Sequence, residues 1–189
     1  KDFDCQENTA ALDYSVINLN KTKSPQVHFA DHVINLSNIY IKNSTGHINT
    51  IKLAQHVKGS VVIQSSQFYE NKLNESDKLQ NLKDVNNEVA YKTGIISVVM
   101  TGGNFSIINS RFINNTGAIG SGLHINTTNF DASSVMISDC EFIENFAITY
   151  NGQVSGFGGA VFVHSNVVNL EINNCTFTQN KAVKSGGAI

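Results

Sequence analysis

The chain has 189 residues, a formal net charge of −2 and a single arginine, Arg111. It is long enough for one well-buried domain and lacks the basic patch that nucleic-acid binding needs. Its longest apolar runs, such as "GIISVVM" (Gly94 to Met100), fall far below the roughly 20 residues that span a bilayer, so no membrane span is expected.

Twenty-five asparagines, one proline (Pro25) and no tryptophan argue against a helical protein and demand a structural use for the amide side chain. Residues 1–32 open on "KDFDCQEN", without an apolar leader, so a signal peptide has been removed or the chain is not secreted. They fit no repeat and are expected to form an N-terminal cap or an irregular first coil. The repeats occupy residues 33–189.

There the pattern apolar-x-apolar-x-x-small-x-Phe-x-x-Asn recurs, weakly as "INLSNIYIKNS" (Ile34 to Ser44), where Ile41 replaces Phe and Ser44 replaces Asn. Full copies follow as "VVIQSSQFYEN" (from Val61), "FSIINSRFINN" (from Phe105), "VMISDCEFIEN" (from Val135) and "LEINNCTFTQN" (from Leu170). Each reads as a strand, a bend and a second strand. Between copies a glycine leads an alternating strand, at Gly46, Gly94, Gly122, Gly159 and Gly187. The polar stretch 72–92 is expected to be a loop insertion. An all-β fold follows, a parallel β-solenoid of about five coils with one coil per repeat.

Stacking such coils at about 4.8 Å turns equivalent positions into ladders. Phe68, Phe112, Phe142 and Phe177 are expected to form an aromatic ladder inside, with Ser66, Ser110, Cys140 and Cys175 as a small-residue ladder beside it. Asn71, Asn115, Asn145 and Asn180 are expected at a turn, adopting left-handed dihedrals while their amides bond the backbone and one another.

The tetrapeptides "GGAV" (Gly158 to Val161) and "GGAI" (Gly186 to Ile189), alternating with "FYEN", "FINN", "FIEN" and "FTQN", look like the repeats of the chlamydial polymorphic outer-membrane proteins, members of the pectin-lyase-like β-helix architecture. That resemblance implies a right-handed parallel β-helix, displayed at the cell surface and used in adhesion. "GSGL" (Gly120 to Leu123) and "TGII" (Thr93 to Ile96) depart from the pattern, and that family's C-terminal membrane barrel has no counterpart in the sequence.

β-Helices also house polysaccharide lyases and glycoside hydrolases, which need clustered outward carboxylates. Asp139, Glu141 and Glu144 are close together, but the adjacent repeats offer Asn109, Arg111 and Asn114 on one side and Asn174, Thr176 and Gln179 on the other, so no acidic column is expected. His28 and His32 are four apart without a metalloprotease motif, and neither His124 nor His164 belongs to one. No cofactor, metal or catalytic residue is assigned. Cys140 and Cys175 occupy equivalent positions, so a disulfide and a pair of buried thiols both remain open, as does the state of Cys5.

Eight N-x-S/T sequons, at Asn20, Asn35, Asn43, Asn74, Asn104, Asn114, Asn126 and Asn174, are about twice the number expected by chance from the composition. They are candidates for N-glycosylation. The chain ends on "GGAI", the first strand of a further coil, so its C-terminal end is expected to be truncated or covered by another subunit. The expected role is a non-enzymatic extracellular or cell-surface adhesin or structural scaffold, with filament subunit as a variant and carbohydrate-active enzyme as the alternative. The expected partners are copies stacking through open coil ends and host or cell-surface glycans or proteins.

Overall fold

Short alternating runs of β-branched and polar residues, punctuated by asparagine, serine and glycine, favour strands over helices. The structure, a computed structural model, describes residues 15–16, 26–29, 33–43, 45–46, 51–55, 60–73, 94–100, 102–127, 133–149, 155–163, 167 and 169–189. Among them the chain is all-β, without a helix, and its strands pair in parallel to make four sheets.

Sheet I contains β2 (Gln26–Phe29), β6 (Ile51–Gln55), β10 (Ile96–Met100), β14 (Leu123–Thr127) and β18 (Val161–Val163). Sheet II contains β3 (Val33–Ser37), β7 (Ser60–Gln64), β11 (Gly103–Ile108), β15 (Ser133–Ser138) and β19 (Asn169–Asn173). Sheet III contains β1 (Ser15–Val16), β4 (Ile39–Lys42), β8 (Gln67–Tyr69), β12 (Arg111–Ile113), β16 (Glu141–Ile143) and β20 (Thr176–Thr178). Sheet IV contains β5 (Thr45–Gly46), β9 (Lys72–Leu73), β13 (Thr116–Gly117), β17 (Phe146–Ala147) and β21 (Lys181–Ala182).

From β2 onward the chain visits sheets I, II, III and IV in that order five times, each strand lying beside its counterpart from the previous pass. Cys5, Asn20, His32, Asn74, His164 and the insertion beyond Leu73 lie outside the described residues.

One apolar cluster is shared by sheets I, II and III. At its centre Ile41, Phe68, Phe112, Phe142 and Phe177 stand in register. The four phenylalanines stack nearly parallel at 4.8, 4.8 and 4.9 Å between ring centroids. Burial of each of the first three is complete, contributing about 1.5–3 kcal/mol apiece.

Each repeat turns two corners, and a left-handed residue stands at both. Asn38, Ser65, Asn109, Asp139 and Asn174 form one column, and Asn43, Glu70, Asn114, Glu144 and Gln179 the other, all with φ between 47° and 56°. The backbone ladder continues through them, as where Asp139 N donates to Asn173 O and Glu144 N to Thr178 O. This corrects the expectation for Asn71, Asn115, Asn145 and Asn180: the left-handed residue is the one before each, because the turn of chain direction precedes the inward-pointing amide.

Glutamate has no local hydrogen bond to favour that conformation, whereas asparagine tolerates it. Glu144→Asn is expected to stabilise the fold by about 0.5–1 kcal/mol in chemical denaturation. Glu70 is a less clean site, since its carboxylate lies 3.7 Å from the Lys42 ammonium and that half-exposed pair is worth about 0–1 kcal/mol.

The glycine phrases also need a shift of register. Ile96, Leu123 and Val161 are paired, which aligns Gly94 with Ser121 and Gly159, and Gly122 with Ala160. Gly46 lies on β5 of sheet IV, paired with Leu73, and so does not lead a strand of sheet I. Gly158 is left-handed (φ 60°), while an added Cβ at Gly159 would overlap the carbonyl oxygen of Gly187 in the next pass. The first glycine therefore serves dihedral freedom and the second close backbone approach.

Candidate interaction surface

The outward face of sheet III is built by alternation. With the phenylalanines inside, the flanking residues of each short strand face out. Register sets Tyr40, Gln67, Arg111, Glu141 and Thr176 in one column and Lys42, Tyr69, Ile113, Ile143 and Thr178 in another. Arg111 Nε donates to Glu141 Oε2 at 2.8 Å, Arg111 Nη1 lies 3.4 Å from the Tyr69 hydroxyl, and the rings of Tyr40 and Tyr69 are 5.7 Å apart. The result is a half-exposed strip of two tyrosines, two isoleucines and a paired guanidinium, suited to contact with polar, partly apolar ligands.

Glu141 is thus flanked by Arg111 and Thr176. At the corner beside it Asn174 Nδ2 donates to Asp139 Oδ1 at 2.6 Å and Ser138 Oγ to Oδ2 at 2.6 Å. The Ser138 hydroxyl and then the Asn174 amide hold the Asp139 carboxyl below its ordinary range. Whatever this contributes to stability is present above the ordinary carboxylate pKa and lost as pH falls through the lowered one. Among the described residues no three His, Cys, Asp or Glu come together as a metal site, and no helix is long and apolar enough to cross a membrane.

The sequon asparagines Asn35, Asn43, Asn104, Asn114 and Asn174 are exposed, and Asn126 is partly exposed. Asn43, Asn114 and Asn174 occupy left-handed corners. Asn35 accepts a hydrogen bond from Ser37 Oγ, the hydroxyl of its own sequon, at 3.1 Å.

The buried amides form a continuous column. The Nδ2 groups of Asn71, Asn115 and Asn145 donate to Oδ1 of Asn115, Asn145 and Asn180 at 3.0, 2.9 and 2.9 Å. Each of those oxygens also accepts the backbone N–H of the preceding asparagine. In the other direction the amides of Asn115, Asn145 and Asn180 donate to the carbonyls of Phe68, Phe112 and Phe142. Each full link therefore ties three passes together.

The small-residue column also works by hydrogen bonding. Ser66 Oγ accepts from Ile39 N and donates to Gln64 O; Ser110 Oγ accepts from Ser66 N and donates to Ile108 O. Cys140 takes over both roles, with Ser110 N at its sulfur and Ser138 O at 3.1 Å. Cys140 and Cys175 are free thiols in the structure, and burial pushes Cys140 up to about 12. Cys140→Ser is expected to be close to neutral, while Cys140→Ala, which strands buried polar groups, should cost about 1–3 kcal/mol in denaturant midpoint analysis.

A second buried polar pair was not legible in any motif. On the outward side of sheet I Ser97, His124 and Phe162 are in register. Ser97 Oγ lies 3.3 Å from His124 Nδ1, and the imidazole stacks on Phe162. Ile119 and Ala118 pack with Phe157 and Phe162 in a small cluster beside it, leaving His124 only 5% exposed. Aligning Gly94 with Ser121 was the signal that would have brought Ser97 and His124 together. In comparisons with known proteins, the chain matches no protein-family model, no curated protein and no solved structure.

Proposed function

We propose that this chain is a right-handed parallel β-helix of about five coils that serves as a non-enzymatic scaffold or adhesin outside the cell. The observation that carries the reading is where the repetition lies. The recurring Phe, Asn and Ser/Cys residues are all turned inward and used for structure, whereas the outward columns change from pass to pass. Such a molecule conserves a rod and varies its surface, as a display scaffold requires.

The fixed order of visits to four parallel sheets supports a helical path, and parallel crossovers are right-handed in the great majority of cases. The likeness of the GGA[IV] and F-x-x-N phrases to polymorphic outer-membrane repeats supports the same fold and a surface location. Exposed sequons support glycosylation of that surface. Its partners are glycans or proteins of a cell surface, met by the outward strip of sheet III. Self-association through coil ends would convert the rod into a filament.

Intact-mass measurement of native material before and after glycan release, with site mapping, tests the surface assignment. Glycans at Asn104 or Asn114 support it, and sequon peptides that are all bare remove the support that the sequons give. Binding to cells should fall in Tyr69→Ser/Arg111→Ser without loss of fold. Release of soluble fragments from a polysaccharide by the purified chain would overturn the non-enzymatic reading.

A further inference from the structure

Cys140 and Cys175 are neighbours in the small-residue column, and their sulfurs hold the same pose. The Cys140 thiol donates to Ser138 O at 3.1 Å and lies 3.6 Å from Ile107 O; the Cys175 thiol donates to Asn173 O at 3.2 Å and lies 3.5 Å from Ile137 O. Those carbonyls belong to residues in register, Ser138 with Asn173 and Ile107 with Ile137. One sulfur is therefore the other displaced by a single strand spacing, about 4.8 Å. Two parallel Cβ–S bonds at that separation are wrong for a disulfide, which needs sulfurs about 2.05 Å apart and a dihedral of about 90°. They suit a different bridge. Two thiolates on opposite sides of one metal ion stand two metal–sulfur bonds apart, about 4.6 Å at about 2.3 Å per bond.

We propose that Cys140 and Cys175 form a binding site for one soft metal ion of linear, two-coordinate geometry. The site needs only the strand register and is independent of the surface reading above. Thiolate sulfur selects soft ions, and the neighbour of Cys140 on its other side is Ser110, a hard oxygen donor. Zinc is set aside by ligand number, since its structural sites take four. A divalent ion exchanges the two thiol protons, released to solvent, for two metal–sulfur bonds and leaves the dry site uncharged. Loss of the S–H groups strands no carbonyl: Ser138 O still accepts Asn109 N and Asn173 O still accepts Asp139 N, each at 3.0 Å. The backbone N–H of Ser110 stays at the Cys140 sulfur, where it favours the thiolate.

The test uses the intact, reduced chain carrying Cys5→Ser, which removes the third thiol. Mercury(II) is the probe. Saturation at one ion per chain is expected, with two sulfur neighbours and no others by X-ray absorption. The midpoint of chemical unfolding should rise, because an ion that fits the native spacing stabilises the fold. Cys140→Ser and Cys175→Ser keep the hydroxyl that this column uses elsewhere; each should leave one sulfur neighbour and abolish the rise. Copper(I), a monovalent ion of the same class, should occupy the same two sulfurs under reducing conditions. A midpoint that mercury lowers overturns the proposal, since the thiols would then meet only after unfolding. A rise that survives either serine substitution, one ion joining two chains, or zinc competing on equal terms also overturns it.

Discussion

Asn115→Ala is expected to destabilise the chain by about 3–5 kcal/mol, a large fraction of the stability of a domain this size. The substitution removes an acceptor from Asn71 N and Asn71 Nδ2 and a donor from Phe68 O and Asn145 Oδ1. All of these lie in a dry interior, where Asn71, Asn115 and Asn145 are each 0% exposed. A stranded buried polar group costs about 1–3 kcal/mol, and more than one is created here. The neighbouring Asn114→Ala is the control: its side chain is exposed and its main assets are a left-handed φ of 53° and solvent contact, so about 1 kcal/mol is expected. Urea unfolding of the two variants checks the pair. Similar costs at both positions would mean that the asparagine serves the corner, as its sequence pattern first suggests, and that the amide column is not an energetic unit.

That distinction marks the limit of what the sequence makes legible. The columns of Phe68, Phe112, Phe142 and Phe177 and of Asn71, Asn115, Asn145 and Asn180 follow from spacing alone, because a repeat with constant intervals inside its motif can stack only in register. Elastic loops between motifs do not disturb this.

The position of the left-handed residue is harder to read, since asparagine fills both the corner and the inward column in "FINN". Only Glu70, Glu144 and Gln179, poor turn formers, reveal from the structure that the corner tolerates what the column does not. Serine and cysteine share a column for a reason that side-chain volume hides, namely that each offers one donor and one acceptor to fixed backbone groups. Ser97 and His124 are invisible for a different reason: their contact depends on which glycine aligns with Ser121, a one-residue choice in a motif whose second copy is degenerate. The outward strip is legible as a surface, but what binds there is not, because its residues do not repeat.

Phe112→Ala should cost about 3–5 kcal/mol, the usual range for deleting a fully buried aromatic ring. Phe112 is 0% exposed and has a ring on either side, Phe68 and Phe142, both at 4.8 Å. The deletion leaves a gap that the flanking rings cannot close, because each is fixed by its own strand register and by the amide column one turn away. Phe177→Ala removes the same atoms from a ring with a single stacked neighbour and partial exposure, so roughly half that loss is expected, about 1.5–2.5 kcal/mol. The two costs are therefore a gauge of what a second stacked neighbour adds to the burial of one ring. A Phe177→Ala loss equal to that of Phe112→Ala in urea unfolding would mean that contact with the ring's own strand neighbours, and not a stacked ring on each face, sets the cost.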